Sequence, residues 1–291
     1  MRALVVYKKS HYELYEARTG LQTLREQAHP FVRSMMLSHD ANQRTLAAVH
    51  RAFETVGVRY DCIYRGELRS AAGYDLLCSV GGDGTFLEVA RHSVTTPVLG
   101  INSDPQRSIA LFCAADQNTV QKRLEAVLAG QLHEVRLARL QVAINGAPLD
   151  FYALNDLLFC HANPAAMTTY TLRLGDVKEA QKSSGVWFAS AAGSTAAIRS
   201  AGGRRLPLRS RRLQYLVREP YVADGSPYRL GKGVVAPDAQ LELISKTRQG
   251  RLYIDGSHRH VPCGLGDVMQ VSTAAPPLRV LGIDDQRRQR F

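Results

Sequence analysis

Between residues 74 and 93 the chain reads YDLLCSVGGDGTFLEVARHS: an apolar run, the loop Gly81-Gly82-Asp83-Gly84-Thr85, then an amphipathic run. Three glycines free the backbone for positive φ and close approach to a ligand, and the unpaired N–H groups of a turn and helix start attract phosphate. Asp83 is the loop's one acid. A carboxylate beside a polyphosphate is unfavourable unless it binds a metal or takes a proton from an attacking hydroxyl, so its chemistry is that of a general base or a Mg²⁺ partner. Thr85 followed by Glu88 predicts a capping box at the helix start. The loop has neither the Lys-Ser/Thr ending of a P-loop nor the spacing of G-x-G-x-x-G, so it supports neither a Walker NTPase nor the standard dinucleotide fingerprint.

Three further stretches place polar residues where a nucleotide would need them. ALNDLLF sets Asn155-Asp156 at the head of a β-prone run; taken alone, the pair reads as a turn or a bulge. In SSGVWFASAAGSTAAIRSAGG, Gly193 allows close backbone approach, the hydroxyls of Ser194 and Thr195 suit ribose or amide groups, and the small residues leave room for a flat ligand. The same stretch reads equally as a helix start capped by Ser194 or Thr195. GINSDPQRS at 100–108 puts Asn102 and Asp104 after an apolar run, either at the ligand-gathering edge of an open α/β sheet or in an Asx turn ahead of Pro105.

Seven arginines, at 199, 204, 205, 209, 211, 212 and 218, form the densest basic stretch. They and Lys182 suit phosphate, although a solvated or subunit face is the simpler reading for most. No interleaved aromatics offer to stack bases, which argues against nucleic acid. His258 and His260 share a strand face, but apart from Asp255 no third ligand stands near, so no metal ligands are assigned. Arg287, Arg288 and Arg290 read as exposed.

The elements that must hold these residues change character along the chain. Strands over 3–7, 58–64, 74–80 and 97–102, with helices over about 40–55 and 118–129, make the first part a parallel sheet covered by helices. After about residue 131 come β-prone runs joined by turns, among them an Asn145-Gly146 hairpin signal, so this part is mainly β. With 291 residues, two domains are expected. The 37 Lys and Arg against 26 Asp and Glu leave +11, which points to anionic partners. Five scattered cysteines read as buried thiols of a reducing compartment, and no run suits a membrane span or a signal peptide; a cytoplasmic protein is expected.

GGDGT after a strand, Asn155-Asp156, and Gly193-Ser194-Thr195-Ala196 stand in the order and rough spacing of NAD kinases, in the superfamily that also holds diacylglycerol and sphingosine kinases. The chain resembles that family over 74–203 by motif and throughout by architecture. The resemblance implies an α/β Rossmann-like domain (1–131, with 276–291 packing back on it), a β-rich β-sandwich domain (132–275) and an active site in the cleft between them. It implies transfer of the ATP γ-phosphate to the adenosine-ribose 2′-hydroxyl of NAD, or NADH, with Mg²⁺ or another divalent cation, in a homodimer or homotetramer. Asp83 matches the residue that activates the hydroxyl, and Gly81, Gly82, Gly84 and Thr85 those that bind phosphate. Asn155 matches the adenine reader, while Asp156 replaces a commoner glutamate that contacts ribose. Asn102, Lys182, Ser184, Gly193, Ser194, Thr195, Ala196 and Ser200 complete the expected nucleotide contacts. Ser184-Gly185 replaces the Asp-Gly of many bacterial members and Ala197 a tyrosine; with GINSDPQRS, the Ser-Ser-Gly form is similar to the mitochondrial-type subgroup. The substitutions at Ser184, Asp156 and Ala197 leave open a weak NAD(P)-binding sensor, and the superfamily leaves open a lipid or sphingoid-base kinase.

Overall fold

The computed structural model describes residues 1–222 and 225–286. Arg287, Arg288 and Arg290 lie outside them. The chain divides into two compact units, Met1–Val135 with the chain from Arg279 onward, and Arg136–Leu278.

The first unit is built on a mixed-connection sheet with strand order Arg59–Tyr64, Arg2–Tyr7, Leu76–Gly81, Val98–Asn102, Leu278–Leu281, Glu134–Leu137. Cys113–Asp116 adds to the far part of Val98–Asn102, and the pairings among the first four strands are parallel. Leu76–Gly81 is buried at every position, as a central parallel strand covered on both faces must be. The strand Cys113–Asp116 was not expected: four residues reading CAAD are too short to show a period.

The long helix runs Pro30–Val56, ten residues earlier than its periodicity predicts. His29 caps it by accepting from the Phe31 N–H, Pro30 stands where no N–H is needed, and Gly57 at φ 66 ends it. Phe31, Met36 and Leu37 in its first turns are exposed, so no buried face announced that part of the helix. The polar stretch before it forms two short helices, His11–Tyr15 and Thr19–Glu26.

The second unit has two six-stranded antiparallel sheets. One orders Val177–Ser183, Thr168–Leu174, Leu241–Ser245, Val268–Ser272, Gln141–Ile144, Ala147–Pro148; the other orders Lys232–Val235, Leu213–Arg218, Gly185–Ala189, Asp156–His161, Gly250–Ile254, His260–Pro262. One buried cluster, including Phe159, Phe188, Tyr170, Leu243 and Met269, draws on alternate residues of both sheets. The Asn145-Gly146 turn forms with φ of 53° and 80°, joining Ile144 to Ala147. Cys78, Cys113 and Cys263 are buried, whereas Cys160 is half-buried and Cys62 exposed on an edge strand, against the expectation of five core thiols. No helix among the described residues is long and apolar enough to cross a membrane.

Candidate active site

In the first unit four parallel strands end on one edge, and the chain just beyond each of them contributes a residue to one cavity there. Lys8 follows Arg2–Tyr7, Arg65 follows Arg59–Tyr64, Gly82 follows Leu76–Gly81, and Asp104 lies two residues beyond Val98–Asn102. Together with Asp83, Gly84 and Thr85 they line a cavity of about 450 Å³, closed on another side by Phe31 and Met35 of the long helix. This edge is where open α/β sheets bind ligands.

The helix Asp83–His92 begins at once, with Gly82 as its cap residue and no side-chain cap. The expected capping box does not form. Thr85 lies inside the first turn, its N–H bonded to the Gly82 carbonyl at 3.0 Å, and Glu88 pairs with Arg91 at 2.7 Å. Thr85 Oγ1 is buried with no hydrogen-bond partner among the described residues. Nor does any of Gly81, Gly82 or Gly84 adopt positive φ. Gly81 is needed for space instead, since a Cβ there would collide with the Thr85 hydroxyl.

Asp83 sits at the first helical position and accepts from the Leu111 and Phe112 N–H groups, each at 3.0 Å. The two bonds orient the carboxylate. Phe112 stacks on Phe86 of the same helix at 5.0 Å between ring centroids, which anchors the donor loop.

Lys8 and Arg65 make no ion pair among the described residues. The Arg65 guanidinium reaches within 3.9 Å of where a side chain on Gly84 would begin. Burial lowers the Lys8 ammonium from its ordinary pKa, opposed by the Asp104 carboxylate and reinforced by Arg65. Asp104 is itself buried; one oxygen pairs with Arg107 at 3.0 Å and the other, Oδ2, has no hydrogen-bond partner among the described residues. Asn102 turns inward: its Nδ2 donates to the Ser108 carbonyl at 2.8 Å and its Oδ1 accepts from the Asp104 N–H at 3.0 Å. Its amide therefore shapes the 102–108 loop as an Asx turn.

In the second unit, Asn155 and Asp156 head the strand Asp156–His161 between two neighbours. On one side the Ser190 N–H donates to the Asn155 carbonyl at 3.0 Å, and Gly193 lies against that carbonyl so closely that a Cβ would overlap it. On the other side stands Asp255, which accepts from the N–H groups of Leu154 at 3.0 Å, Asn155 at 2.7 Å and Asp156 at 3.2 Å. Asn155 Oδ1 is buried without a hydrogen-bond partner among the described residues. Burial, and then the Asp255 charge, raise the Asp156 carboxyl from 3.8 to about 7. It lines a largely apolar cavity of about 380 Å³ with Trp187, Tyr253 and Arg218.

The other expected nucleotide contacts are more scattered. Ala192–Thr195 is a 3-10 turn running into the short helix Ala197–Ser200, whose cap position is Ala196; neither Ser194 nor Thr195 caps it, contrary to expectation. Ser194 is buried, donating to the Ala191 carbonyl and accepting from the Leu206 N–H. Lys182 lies over the Tyr221 ring at 5.1 Å, and the Ser184 N–H bonds the Arg218 carbonyl at 3.0 Å. Among the described residues, Lys182, Ser184 and Ser200 make no hydrogen bond to Asn155 or Asp156. The structure thus joins Asn155-Asp156 with Gly193, and the glycine loop with Asp83. Sequence reasoning missed Lys8 and Arg65, although each directly follows a strand, and saw Asp255 only as a stray metal ligand.

A parallel sheet that ends in a glycine loop, a helix N-terminus and unpaired cations defines a phosphate-handling α/β protein. Comparison with known proteins says which. Residues 4–132 match the family described as ATP-NAD kinase N-terminal domain. A probable NADH kinase of Oryza sativa is 36% identical over 229 residues, covering 71% of this chain and 70% of the relative. An NAD kinase of Methanosarcina barkeri is 30% identical over 73% of this chain and 75% of the relative. A crystal structure of an NAD kinase from Archaeoglobus fulgidus in complex with ATP shares the fold, with TM-score 0.70 and 21% identity, over 100% of this chain and 97% of that one. The chain belongs to the NAD kinase family.

Proposed function

We propose that this chain transfers the γ-phosphate of ATP to the adenosine-ribose 2′-hydroxyl of NAD, with NADH as a second acceptor. The observation that carries the reading is the cavity at the sheet edge, where Lys8 and Arg65, two cations without ion pairs among the described residues, line the same space as a glycine loop that contains Asp83. Phosphoryl transfer asks for positioning and charge compensation more than covalent help. The helix N-terminus, Lys8 and Arg65 supply both to the polyphosphate, and Phe31 and Met35 offer an apolar wall to the rest of the donor. The Rossmann-like first domain (1–131 with 276–291) takes this task, and the β-sandwich domain (132–275) reads the dinucleotide.

Asp83 is the general base. Its two N–H bonds fix its direction, and the oriented carboxylate accepts the proton of the attacking hydroxyl. A divalent cation fits the donor cavity: Asp104, with one carboxylate oxygen unpartnered, would hold it beside the phosphates, where it would neutralise their charge. On the acceptor side, Asn155 reads the adenine, Asp156 the ribose, and Gly193 to Ala196 with Lys182, Ser184 and Ser200 shape the pocket.

Incubation of the purified protein with ATP, Mg²⁺ and NAD or NADH, followed by assay of the 2′-phosphorylated dinucleotide, tests the reading. Stoichiometric ADP and NADP formation is expected. Tight NAD binding without product would make the protein a sensor, and phosphorylation of a sphingoid base in preference to NAD would make it a lipid kinase.

A further inference from the structure

Asp255 stands at a position that the motifs do not mark. It follows the strand Gly250–Ile254, adopts φ 48°, and is 9% exposed. Its carboxylate takes three consecutive N–H groups, those of Leu154, Asn155 and Asp156, about 100 residues away in the chain. Its own N–H returns to the Asp156 carbonyl at 2.9 Å. Charge-assisted bonds of this kind are stronger than neutral ones, and three from successive residues leave that segment one backbone conformation. Ser190 and Gly193 close the opposite side.

We propose that Asp255 is the positioning residue of the acceptor site: by clamping the backbone of Leu154–Asp156 it sets the side chains of Asn155 and Asp156 for reading the dinucleotide. The inference rests on the proposal that this pair contacts NAD. It has a second arm through charge. Asp255, held by three N–H donors, is the stabilised anion of the two neighbouring carboxylates, so the proton resides on Asp156 and the latter offers a hydrogen-bond donor where an ionised acid would only accept. The titratable groups that line one cavity with Asp156 are Tyr253 of the strand before Asp255, Cys160 and His161 of its own strand, and Arg218 of Leu213–Arg218. Besides burial, Asp255 is what acts on its ionisation.

Asn is the informative substitution at 255, because it tolerates positive φ and keeps the size while removing the charge and one acceptor. NAD dissociation constants, and KM for NAD and for ATP, are measured between about pH 5 and pH 9 for the wild type, Asp255→Asn, Asp255→Glu, Asp156→Asn and Asn155→Ala. Wild-type NAD binding should change with a midpoint near 7, and Asp156→Asn should abolish that midpoint. Asp255→Asn should weaken NAD about tenfold or more, leave KM for ATP within about twofold, and move the midpoint down by about one unit or more. A purely structural role would leave the midpoint in place and affect both substrates alike, which overturns the inference.

Should Asp255→Asn show no cooperative melt, Asp255→Glu carries the test. It keeps the charge but displaces the oxygens, so NAD binding must weaken while the midpoint stays near 7; unweakened binding overturns the clamp. If neither variant folds, a wild-type profile without that midpoint overturns the inference, and one whose midpoint is lost in Asp156→Asn supports it. Failure of the underlying reading looks different: Asn155→Ala would then leave NAD binding unchanged. A weakened Asn155→Ala beside an unaffected Asp255→Asn would sink the role of Asp255 alone.

Discussion

The two units handle carboxylates in opposite ways. In the first, Asp83 and Asp104 share a cavity with Lys8, Arg65 and Arg107, and each carboxylate has a donor or a cation on it. In the second, Asp156 is buried against Asp255, whose charge opposes its own. The difference teaches that side-chain type alone does not assign chemistry. An aspartate among cations is available as an ionised base, and one desolvated beside a second acid is available as a neutral donor. Substitutions that break this division of labour should differ in size and in which substrate they affect.

The largest effect should follow from Asp83→Asn. Losing a general base costs roughly 10²–10⁴-fold in turnover, while Asn keeps the shape and still accepts an N–H bond from Leu111 or Phe112. NAD binding by calorimetry should stay within about twofold; near-normal kcat would remove Asp83 from the chemistry. Next comes Gly193→Ala in the second unit. The new methyl would overlap the Asn155 carbonyl, a backbone atom held by Ser190 and unable to swing aside. A loss of about 3 kcal/mol in thermal unfolding is expected, with weaker NAD binding and an unchanged KM for ATP.

These two positions also show what the sequence made legible. The loop Gly81 to Thr85 was readable because its function is local: strand, glycines and helix follow one another along the chain. The parallel and antiparallel halves were readable because burial on two faces and on one face leave different periods. Asp255 was not, since its meaning comes from three N–H groups a hundred residues upstream, brought close only by the pairing of Gly250–Ile254 with Asp156–His161. Lys8 and Arg65 fall between: each follows a strand of the parallel sheet, so applying the strand-edge rule to every strand would have found them. Thr85 misled because a capping box and an ordinary third helical residue have the same spacing when the loop supplies a glycine cap.

The pH dependence of stability sharpens the contrast between the units. Asp156 has its folded-state pKa raised from 3.8 to about 7, so the fold prefers the neutral acid. Its contribution is fully present below about pH 4, is lost as pH rises through about 7, and is constant above that. The loss should be on the order of 4 kcal/mol and should vanish in Asp156→Asn, which is expected to unfold at higher denaturant than the wild type at alkaline pH. A wild-type curve flat between these limits would show that Asp156 is ionised throughout. Below this in size lie Lys8→Ala and Arg65→Ala. Each should raise KM for ATP about tenfold, increasingly at low salt, and leave NAD binding alone.

The smallest effect is expected where charge is densest. Arg211 and Arg212 are exposed, and the Arg212 N–H bonds only the Ser210 hydroxyl of the same turn. Exposed cations interact through high dielectric and within a Debye length of about 8 Å, so replacing both by serine should change stability by less than about 0.5 kcal/mol and either KM by less than about twofold. Lys8 and Arg65, only two charges among 37, should outweigh them because they sit half-buried at a helix N-terminus, where solvent screens them less. Loss of ATP affinity in the Arg211 and Arg212 double variant would reverse that ranking, and would make the net charge of +11, rather than the placement of two side chains, the agent that gathers phosphate.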